Sequence, residues 1–296
     1  MYLEYKNCRL CPRKCSVDRE SGNLGFCKAG KEAQICRIGL HYMEEPVISG
    51  KNGSGTIFFA HCNLKCIYCQ NFEISRDEVA GKTFTAEQMA EEMLKLQKNG
   101  AHNINLVTPT HYLPAVIDTL QIAKEKGLTI PVVYNTSGFE TEETINSLKG
   151  LVDIYLTDLK YFSPYYSGLY SSCEDYFDYT SQAIEKMIET TGAPVIGSDG
   201  LMKSGVIIRH LMLPGLGGDT AQILKYIASH WGDKALVSLM RQYTPICDTL
   251  PDELCRTITD MEYNAAAELF YSLGLEGFVQ DSTSVGKDKI PDWKNK

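Results

Sequence analysis

A loop with three closely spaced cysteines constrains this chain more than any other feature of its sequence. Cys62, Cys66 and Cys69 follow the apolar run 56–60 with the spacing C-x3-C-x2-C. Thiolates are the usual ligands of iron–sulfur clusters, and a cubane cluster has four irons to coordinate. Three cysteines in one loop can bind three of these irons and leave the fourth open to a small molecule. We therefore favour a [4Fe–4S] cluster here over a zinc site or a group of buried thiols.

A second group of cysteines lies ahead of this loop. Cys8, Cys11, Cys15 and Cys27 are spaced as in a metal-binding knuckle. Four thiolates predict a second metal site, either structural zinc or an auxiliary iron–sulfur cluster, because both accept four sulfur ligands. The sequence does not choose between them, and we lean towards iron–sulfur only because the first loop already requires such clusters to be assembled. The remaining cysteines are isolated and are predicted to be buried free thiols: Cys36, Cys173, Cys247 and Cys255.

The composition is that of a globular protein with no charge bias towards nucleic acid. The 296 residues are 44% hydrophobic and 22% charged, with a net charge of −8, and such an acidic chain is not expected to bind nucleic acid. The N-terminus lacks the apolar stretch of a signal peptide, and no apolar run reaches the roughly 18 residues that a membrane helix needs. Because the cysteines cluster near the N-terminus, we expect metal ligation in a reducing cytoplasm rather than disulfides.

From residue 56 onward, short apolar strands alternate with amphipathic helices, the pattern of βα units around a parallel sheet. Strands are predicted at 56–60, 103–107, 130–134, 152–157, 206–213 and 235–240, with a last short strand at 277–280. Helices are predicted at 85–100, 113–126, 141–150, 176–191, 219–231 and 259–273, and a Tyr- and Ser-rich connection precedes 176. This pattern predicts an α/β fold. We expect a partial (β/α)6 TIM-type barrel with a C-terminal helix at 51–296 and a cysteine-rich metal-binding extension at 1–50.

Polar loops follow the predicted strands. Residues 108–112, 135–138, 158–160, 214–218 and 242–245 each come directly after a strand. Parallel strands joined by right-handed crossovers have their carboxyl ends at one end of the barrel, where barrel proteins carry their chemistry. The cysteine triplet follows the first strand and belongs to the same rim. We therefore expect the triplet and these loops to converge on one site.

Several of these segments resemble one family. Residues 62–71, Asn-Thr-Ser-Gly at 135–138, Asp-Leu-Lys at 158–160 and residues 209–215 are similar to the pyruvate formate-lyase activating enzymes, which are radical S-adenosylmethionine (SAM) enzymes. The N-terminal Cys-x-Leu-Cys-Pro is typical of a branch of activase homologues. The resemblance implies a partial (β/α)6 barrel and a [4Fe–4S] cluster on the cysteine triplet. It also implies that the methionine end of SAM chelates the open iron. SAM is then cleaved to methionine and a 5′-deoxyadenosyl radical, which abstracts hydrogen.

The resemblance and the strand-end positions together suggest the residues that contact SAM. They are Tyr68, Asn71, Thr108, Asn135, Ser137, Asp158, Lys160, Arg209 and Gln242. Lys160 supplies a cation for the methionine carboxylate, and Gln242 is the candidate for the ribose hydroxyls. Asn135 stands where the activases have an aspartate. The segment after the second strand has no carboxylate for the methionine ammonium, so Thr108 or backbone carbonyls are expected to accept its hydrogen bonds.

Two histidines lie near these candidates. Arg209 and His210 are adjacent on a strand, so only one of them can face the barrel interior, and Arg209 is the better candidate for a carboxylate partner. His111, in the loop after the second strand, is more consistent with a structural role than with acid–base catalysis.

The resemblance suggests partners as well as cofactors. A glycine of a glycyl radical protein is the suggested hydrogen donor, and a flavodoxin- or ferredoxin-type protein the electron donor. Activases with extra clusters carry additional cysteines after the triplet, and residues 71–85 leave no room for them. Two alternatives therefore stay open: radical SAM modification of a small molecule or another protein, and an iron–sulfur electron carrier or scaffold without catalysis. The motif loops at the strand ends argue against a carrier, which needs no SAM pocket.

Overall fold

A computed structural model describes residues 4–76, 78–246, 250–286 and 293 of the protein. Within these residues, ten strands form one sheet. The strands are β1 Ala33–His41, β2 Ser54–Phe59, β3 Lys82–Phe84, β4 Ile104–Val107, β5 Val132–Thr136, β6 Ile154–Asp158, β7 Val195–Ile196, β8 Met202–Leu211, β9 Leu236–Met240 and β10 Gly277–Val279. Their order along the sheet is β10-β9-β8-β6-β5-β4-β2-β1-β3, and β7 pairs with β8.

The strands from β2 to β10 that pair in parallel form the barrel. β2, β4, β5, β6, β8, β9 and β10 are parallel neighbours in that order. The register places Asp158 of β6 beside Arg209 of β8, and Val107 of β4 beside Asn135 of β5. The carboxyl ends of these strands therefore lie together. Among the described residues no pairing joins β10 to β2, so the barrel is partial and the predicted fold class is confirmed.

Most helices lie where the sequence predicts them. They are α1 Pro46–Ser49, α2 Phe72–Ser75, α3 Ala86–Lys98, α4 Leu113–Glu125, α5 Glu142–Ser147, α6 Pro164–Ser171, α7 Tyr176–Thr191, α8 Gly217–His230 and α9 Asp260–Ser272. Capping boxes built on Thr85 and Thr259 begin α3 and α9. Helix α6 lies within the Tyr- and Ser-rich connection, for which the sequence predicts no helix. The Ser163 hydroxyl caps its first turn, and Pro164 at the first helical position is compatible with it.

The N-terminal part of the chain extends the barrel sheet and closes one of its ends. Strand β1 pairs antiparallel with β2 and with β3, although the sequence predicts no strand there. Ile48 of α1 packs among Val133, Ile154 and Ile207, which lie below the carboxyl ends of β5, β6 and β8. This aliphatic cluster fills the amino end of the barrel interior, so the polar site is confined to the opposite end. The division of the chain at residue 50 stays a prediction.

The isolated cysteines have different environments. Cys36 and Cys173 are buried, as predicted. Cys255 is exposed, so its prediction as a buried thiol is wrong. It follows a short 3-10 turn, Asp252–Leu254, in which only Leu254 is buried. Cys247 lies outside the described residues. No helix in the described part of the chain has both the length and the apolar character to cross a membrane.

Candidate active site

One cavity at the carboxyl ends of the parallel strands collects the candidate residues of the barrel. Its volume is about 550 Å³, within the range of small-molecule sites. The predicted residues that line it are Cys62, Cys66, Cys69, Tyr68, Asn71, Thr108, Asn135, Ser137, Asp158, Lys160, Arg209 and Gln242. The structure thus brings all the predicted cluster and SAM residues of the barrel to one place.

Each sulfur of the cysteine triplet has a hydrogen-bond donor nearby. The Leu64 amide donates to Cys62 Sγ at 3.3 Å, and the Ser171 hydroxyl donates to Cys66 Sγ at 3.0 Å. Ser75 Oγ lies 3.8 Å from Cys69 Sγ. Such donors stabilise negative charge on sulfur, and hydrogen bonds to the sulfurs help to set the potential of an iron–sulfur cluster. The surroundings of the triplet therefore suit thiolate ligands.

The backbone of this loop adopts conformations that ordinary residues rarely take. His61 and Lys65 have φ values of 71° and 59°. Thr108, at the end of β4 and on the same cavity, has φ 59°, which is unusual for a β-branched residue. Residues held in such conformations cluster at functional sites. The positive φ values therefore indicate that this part of the backbone forms a binding site.

Burial raises the pKa of two thiols of the triplet, Cys66 and Cys69. The pKa of Cys66 is raised by desolvation, which outweighs the nearby Lys160 ammonium. Desolvation, with the neighbouring thiols Cys66 and Cys62, raises the pKa of Cys69 to about 12. Thiols bind iron as thiolates, so iron binding here releases protons and replaces them with metal charge.

Charged side chains form the floor of the cavity. Arg209 Nε donates to Asp158 Oδ1 at 2.9 Å and its Nη2 donates to Asn135 Oδ1 at 2.7 Å. Lys160 pairs with the other oxygen of Asp158. Burial alone would raise the pKa of Asp158, but Arg209 and Lys160 together hold this pKa below its usual value. Asp158 in turn raises the pKa of Lys160 despite its burial, so both groups are charged and the cavity offers a cation beside the cluster loop.

Sequence reasoning missed a carboxylate on this floor. Glu44, between β1 and α1, lines the cavity, and its Oε2 lies 3.3 Å from Arg209 Nη1. Its Oε1 accepts from Asn105 at 3.1 Å and from Asn135 at 3.3 Å. Burial outweighs Arg209 and raises the pKa of Glu44. Only the nearby Pro46, typical of a helix start, marks this segment in the sequence, and nothing local shows that it reaches the barrel interior.

Two other candidates are held by neighbouring side chains. The Tyr68 hydroxyl is buried and accepts from Tyr161 at 2.7 Å. Gln242 Oε1 accepts from the Gln280 amide at 2.9 Å, which orients the Gln242 side chain at the cavity wall. Tyr161 and Gln280 belong to no motif of their own, so no sequence signal selects them.

The N-terminal cysteines line a second, much smaller cavity of about 10 Å³. Cys8, Cys11, Cys15 and Cys27 surround it together with basic side chains. Burial raises the pKa of Cys11 and Cys27. In the described part of the chain, no three Cys, His, Asp or Glu side chains are placed to share a single metal ion in this structure.

The two histidines lie away from the large cavity. His210 packs against α8, where its Nδ1 donates to the Leu159 carbonyl at 2.8 Å and its Nε2 accepts from Thr220. Arg209 lines the cavity instead. His111 lines the small cysteine cavity, and its Nε2 donates to the Ala60 carbonyl at 2.7 Å. Burial lowers the pKa of His111 to about 3, so its ring is neutral.

The barrel is open at one edge, has a three-cysteine loop after its first strand β2, and has a polar cavity at the carboxyl ends of its strands. A comparison with protein families identifies the class of protein that has these features. The profile of the Radical SAM superfamily matches residues 56–226. The chain therefore belongs to the radical SAM superfamily. Membership implies a [4Fe–4S] cluster and SAM as cofactors and makes the protein an enzyme of radical SAM chemistry.

Two relatives come from Methanocaldococcus jannaschii. The uncharacterized protein MJ0674 is 33% identical over 285 residues, covering 92% of this chain and 76% of the relative. The uncharacterized protein MJ0808 is 24% identical over 232 residues, covering 72% of this chain and 68% of the relative. The similarity to the first extends over nearly the whole chain.

Two solved structures are similar to this chain at low sequence identity. HydG, a maturase of the [FeFe]-hydrogenase, superposes with a TM-score of 0.50 and 17% identity, covering 71% of this chain and 47% of HydG. A domain of pyruvate-formate lyase-activating enzyme from Bacteroides vulgatus gives a TM-score of 0.41 and 15% identity, covering 59% of this chain and 91% of that domain. At this identity, the likeness to HydG concerns the fold alone.

Proposed function

We propose that this protein cleaves SAM reductively at a [4Fe–4S] cluster held by Cys62, Cys66 and Cys69. The cluster supplies the electron for cleavage, and the resulting 5′-deoxyadenosyl radical abstracts a hydrogen atom from the substrate. One observation carries the proposal: the three cysteines and polar residues from the ends of five barrel strands line a single cavity of about 550 Å³. A carrier of electrons alone has no need of that cavity.

The residues of the cavity suit the parts of SAM. Lys160, charged and beside the cluster loop, provides a cation for the methionine carboxylate. Arg209 is fully engaged with Asp158, Glu44 and Asn135, so its role is to hold the cavity floor in shape. Asn71, Ser137 and Gln242 supply neutral polar groups for the remaining parts of SAM.

The proposed hydrogen donor is a glycine of a partner protein. This proposal depends on the resemblance of the motif loops to the activases, and so does the proposed flavodoxin- or ferredoxin-type electron donor. A glycyl radical has a characteristic EPR signal. The protein could form 5′-deoxyadenosine and yet give no such signal with any candidate glycyl radical protein. That result would replace the glycine proposal with modification of a small molecule or of another protein residue.

The test of SAM cleavage is a product assay without oxygen. Wild-type protein reconstituted with iron and sulfide, then given dithionite and SAM, should yield 5′-deoxyadenosine. The variant with Cys62, Cys66 and Cys69 all changed to Ala should yield none. Cys36→Ala is the matched control, because Cys36 is buried in β1 and lines neither cavity. Absence of product from wild-type protein with a full cluster content would refute the proposal.

We also propose that Cys8, Cys11, Cys15 and Cys27 hold a second metal centre. The proposal is supported by the arrangement of these four cysteines, which are separate in the sequence but line one small cavity. Iron–sulfur and zinc both suit four thiolates. Metal analysis of the purified protein distinguishes them.

A further inference from the structure

The loop that carries the cysteine triplet has a second side, which faces away from the large cavity. Cys62, Leu64 and Cys66 line the large cavity, whereas Lys65, which lies between them in the chain, lines neither cavity. Four cations lie on this outer side, and none of them is among the described residues that line the large cavity. We call these cations the basic patch: Arg13, Lys14, Lys65 and Arg76.

Aromatic and main-chain contacts make the basic patch continuous. The Phe26 ring contacts two of its cations: the guanidinium carbon of Arg13 lies 3.9 Å from the ring centroid, and Lys65 Nζ lies 5.7 Å from it. Arg76 Nη2 donates to the carbonyl of Cys66 at 2.8 Å and lies 3.4 Å from the carbonyl of Lys65. The patch therefore sits directly on the main chain of a proposed cluster ligand.

The positive charge of the basic patch is not neutralised by carboxylates. In the described part of the chain, none of its four cations forms an ion pair. Arg13 donates to three main-chain carbonyls and Arg76 to two, while Lys14 Nζ lies 3.3 Å from the hydroxyl of Tyr179. Because these partners are neutral, the patch is a local positive field on a chain whose net charge is −8.

A protein bound at the basic patch leaves the large cavity open. The patch contacts the cluster loop from outside, whereas the proposed SAM residues line its other side. Only the main chain at Cys66 separates Arg76 from a cysteine of the triplet. An electron that enters here reaches the proposed cluster by a short path, and SAM and the substrate keep their own side of the loop.

We propose that the basic patch is the docking surface of a one-electron carrier protein with an acidic surface around its cofactor. This inference rests on the proposed function. The carrier gives up one electron and is oxidised, and the cluster on Cys62, Cys66 and Cys69 takes up that electron and is reduced. No atom or proton is transferred. Opposite charges on the two surfaces speed the association of carrier and enzyme, and salt screens this attraction.

The first test measures binding rather than activity. Arg13 and Lys14 also line the small cavity, so the variant changes Lys65 and Arg76, which line neither. Lys65→Glu combined with Arg76→Glu should raise the Kd of an acidic carrier about tenfold at low ionic strength, because two attractive charges become repulsive. Calorimetry without oxygen, with an oxidised flavodoxin and an oxidised ferredoxin as probes, measures the Kd. The Kd of the wild type should rise with added salt, and that of the variant should change little.

The matched control is Lys98→Glu combined with Lys149→Glu. Both lysines are exposed and precede β4 and β6, at the opposite end of the barrel from the cluster loop. This control changes the net charge equally and should keep the wild-type Kd. Lys65→Glu alone preserves the contact of Arg76 with Cys66 and should raise the Kd about threefold. The inference is overturned if neither probe loses affinity in the double variant, or if the control loses as much. Binding does not require SAM cleavage, so this failure is distinct from failure of the proposed function.

The second test compares reductants. Lys65→Glu combined with Arg76→Glu should lower 5′-deoxyadenosine formation about tenfold when a limiting carrier protein is the reductant. Formation driven by dithionite should fall much less, because a small reductant needs no docking surface. An equal fall with both reductants would show that the two residues act on the cluster rather than on the carrier.

The third test locates the carrier relative to SAM. If the carrier binds outside the cluster loop, its Kd should be the same with and without saturating SAM. Competition between SAM and the carrier would place the carrier over the large cavity and would overturn the inference.

Discussion

At the scale of single residues, the side chains around the cysteine triplet matter as much as the cysteines. Ser171 comes from α6, which the sequence does not predict, and it gives Cys66 Sγ the shortest sulfur contact of the triplet. A hydroxyl that donates to a ligand sulfur stabilises the reduced, more negative state of a cluster. Ser171 is therefore a positioning and tuning residue of the proposed site.

Ser171→Ala should lower the midpoint potential of the SAM-cleaving cluster, because the reduced state loses a hydrogen bond. Redox titration followed by EPR measures the change. Ser167→Ala is the matched control: Ser167 is buried one turn earlier in α6 and bonds only to main-chain carbonyls. If both variants keep the wild-type potential, Ser171 does not tune the cluster.

His210 makes stability depend on pH. Burial lowers the pKa of His210 to about 4, although its bond to the Leu159 carbonyl opposes this. In the unfolded chain a histidine binds a proton near pH 6.5. The unfolded state therefore holds more protons between pH 6.5 and 4. His210 should reduce the free energy of unfolding by up to about 3 kcal/mol as pH falls through that window.

His210→Asn should make the free energy of unfolding depend less on pH between 6.5 and 4, whatever its effect on stability at pH 8. Chemical denaturation at several pH values measures the slope. His230→Asn removes an exposed histidine and serves as the control. A His210→Asn profile as steep as that of the wild type would show that the buried ring is not the group responsible.

Residue roles were only partly predictable from the sequence. Lys160 and Arg209 could be predicted as site residues because the carboxyl ends of the strands of a parallel barrel converge. A polar residue at one strand end is therefore expected to lie near the polar residues at the others. Glu44 and the contacts of His111 depend on how the N-terminal segment packs against the barrel. That packing produces no periodic pattern or motif in the sequence, so the contacts of His111 could not be predicted from it.

At the scale of elements, the barrel was predictable and the N-terminal strand was not. The βα alternation and the capping boxes of α3 and α9 are local signals, and the structure confirms the elements that they predict. Strand β1 gains its stability from pairing with β2 and β3, a contact between distant segments. Such tertiary pairing overrides weak local preference.

The turn after β5 depends on one glycine. Gly138 has φ +79°, and a Cβ there would lie 2.3 Å from the Asp158 carbonyl and 2.6 Å from Thr180 Cγ2. The glycine lets the loop of Asn135 and Ser137 approach the end of β6. This close approach brings two of the proposed SAM-binding loops together.

Gly138→Ala should destabilise the protein by on the order of 3 kcal/mol, from the left-handed backbone and the steric overlap together. It should also weaken SAM binding, measured by calorimetry. Gly150→Ala is the matched control, since Gly150 has φ +78° but a Cβ there would meet no atom within 4 Å. Gly150→Ala should lower the free energy of unfolding by about 1 kcal/mol and leave SAM binding unchanged. Equal losses in both variants would mean that the overlap is unimportant.

At the scale of the whole molecule, two cysteine sites sit on either side of one short loop. Cys62 faces the large cavity and Asn63 the small one. A cluster bound to the native state and not to the unfolded chain stabilises the fold by mass action. The extension and the barrel should therefore lose stability together when metal is removed.

Removal of iron by a chelator should lower the melting temperature by about 5 °C or more, because ligand binding to the native state is lost. Calorimetry without oxygen measures the difference. The variant lacking Cys62, Cys66 and Cys69 should show a smaller change, since only the N-terminal site can still lose metal. An identical melting temperature with and without metal would contradict the proposed role of both sites in the native state.

If three thiolates hold the [4Fe–4S] cluster, its fourth iron is free for the methionine end of SAM. Electron–nuclear double resonance on the reduced protein, with SAM labelled at the methionine nitrogen and carboxylate, tests it directly. We expect hyperfine coupling of both labelled groups to the cluster in the wild type. A reduced cluster that shows no coupling to bound, labelled SAM would contradict it.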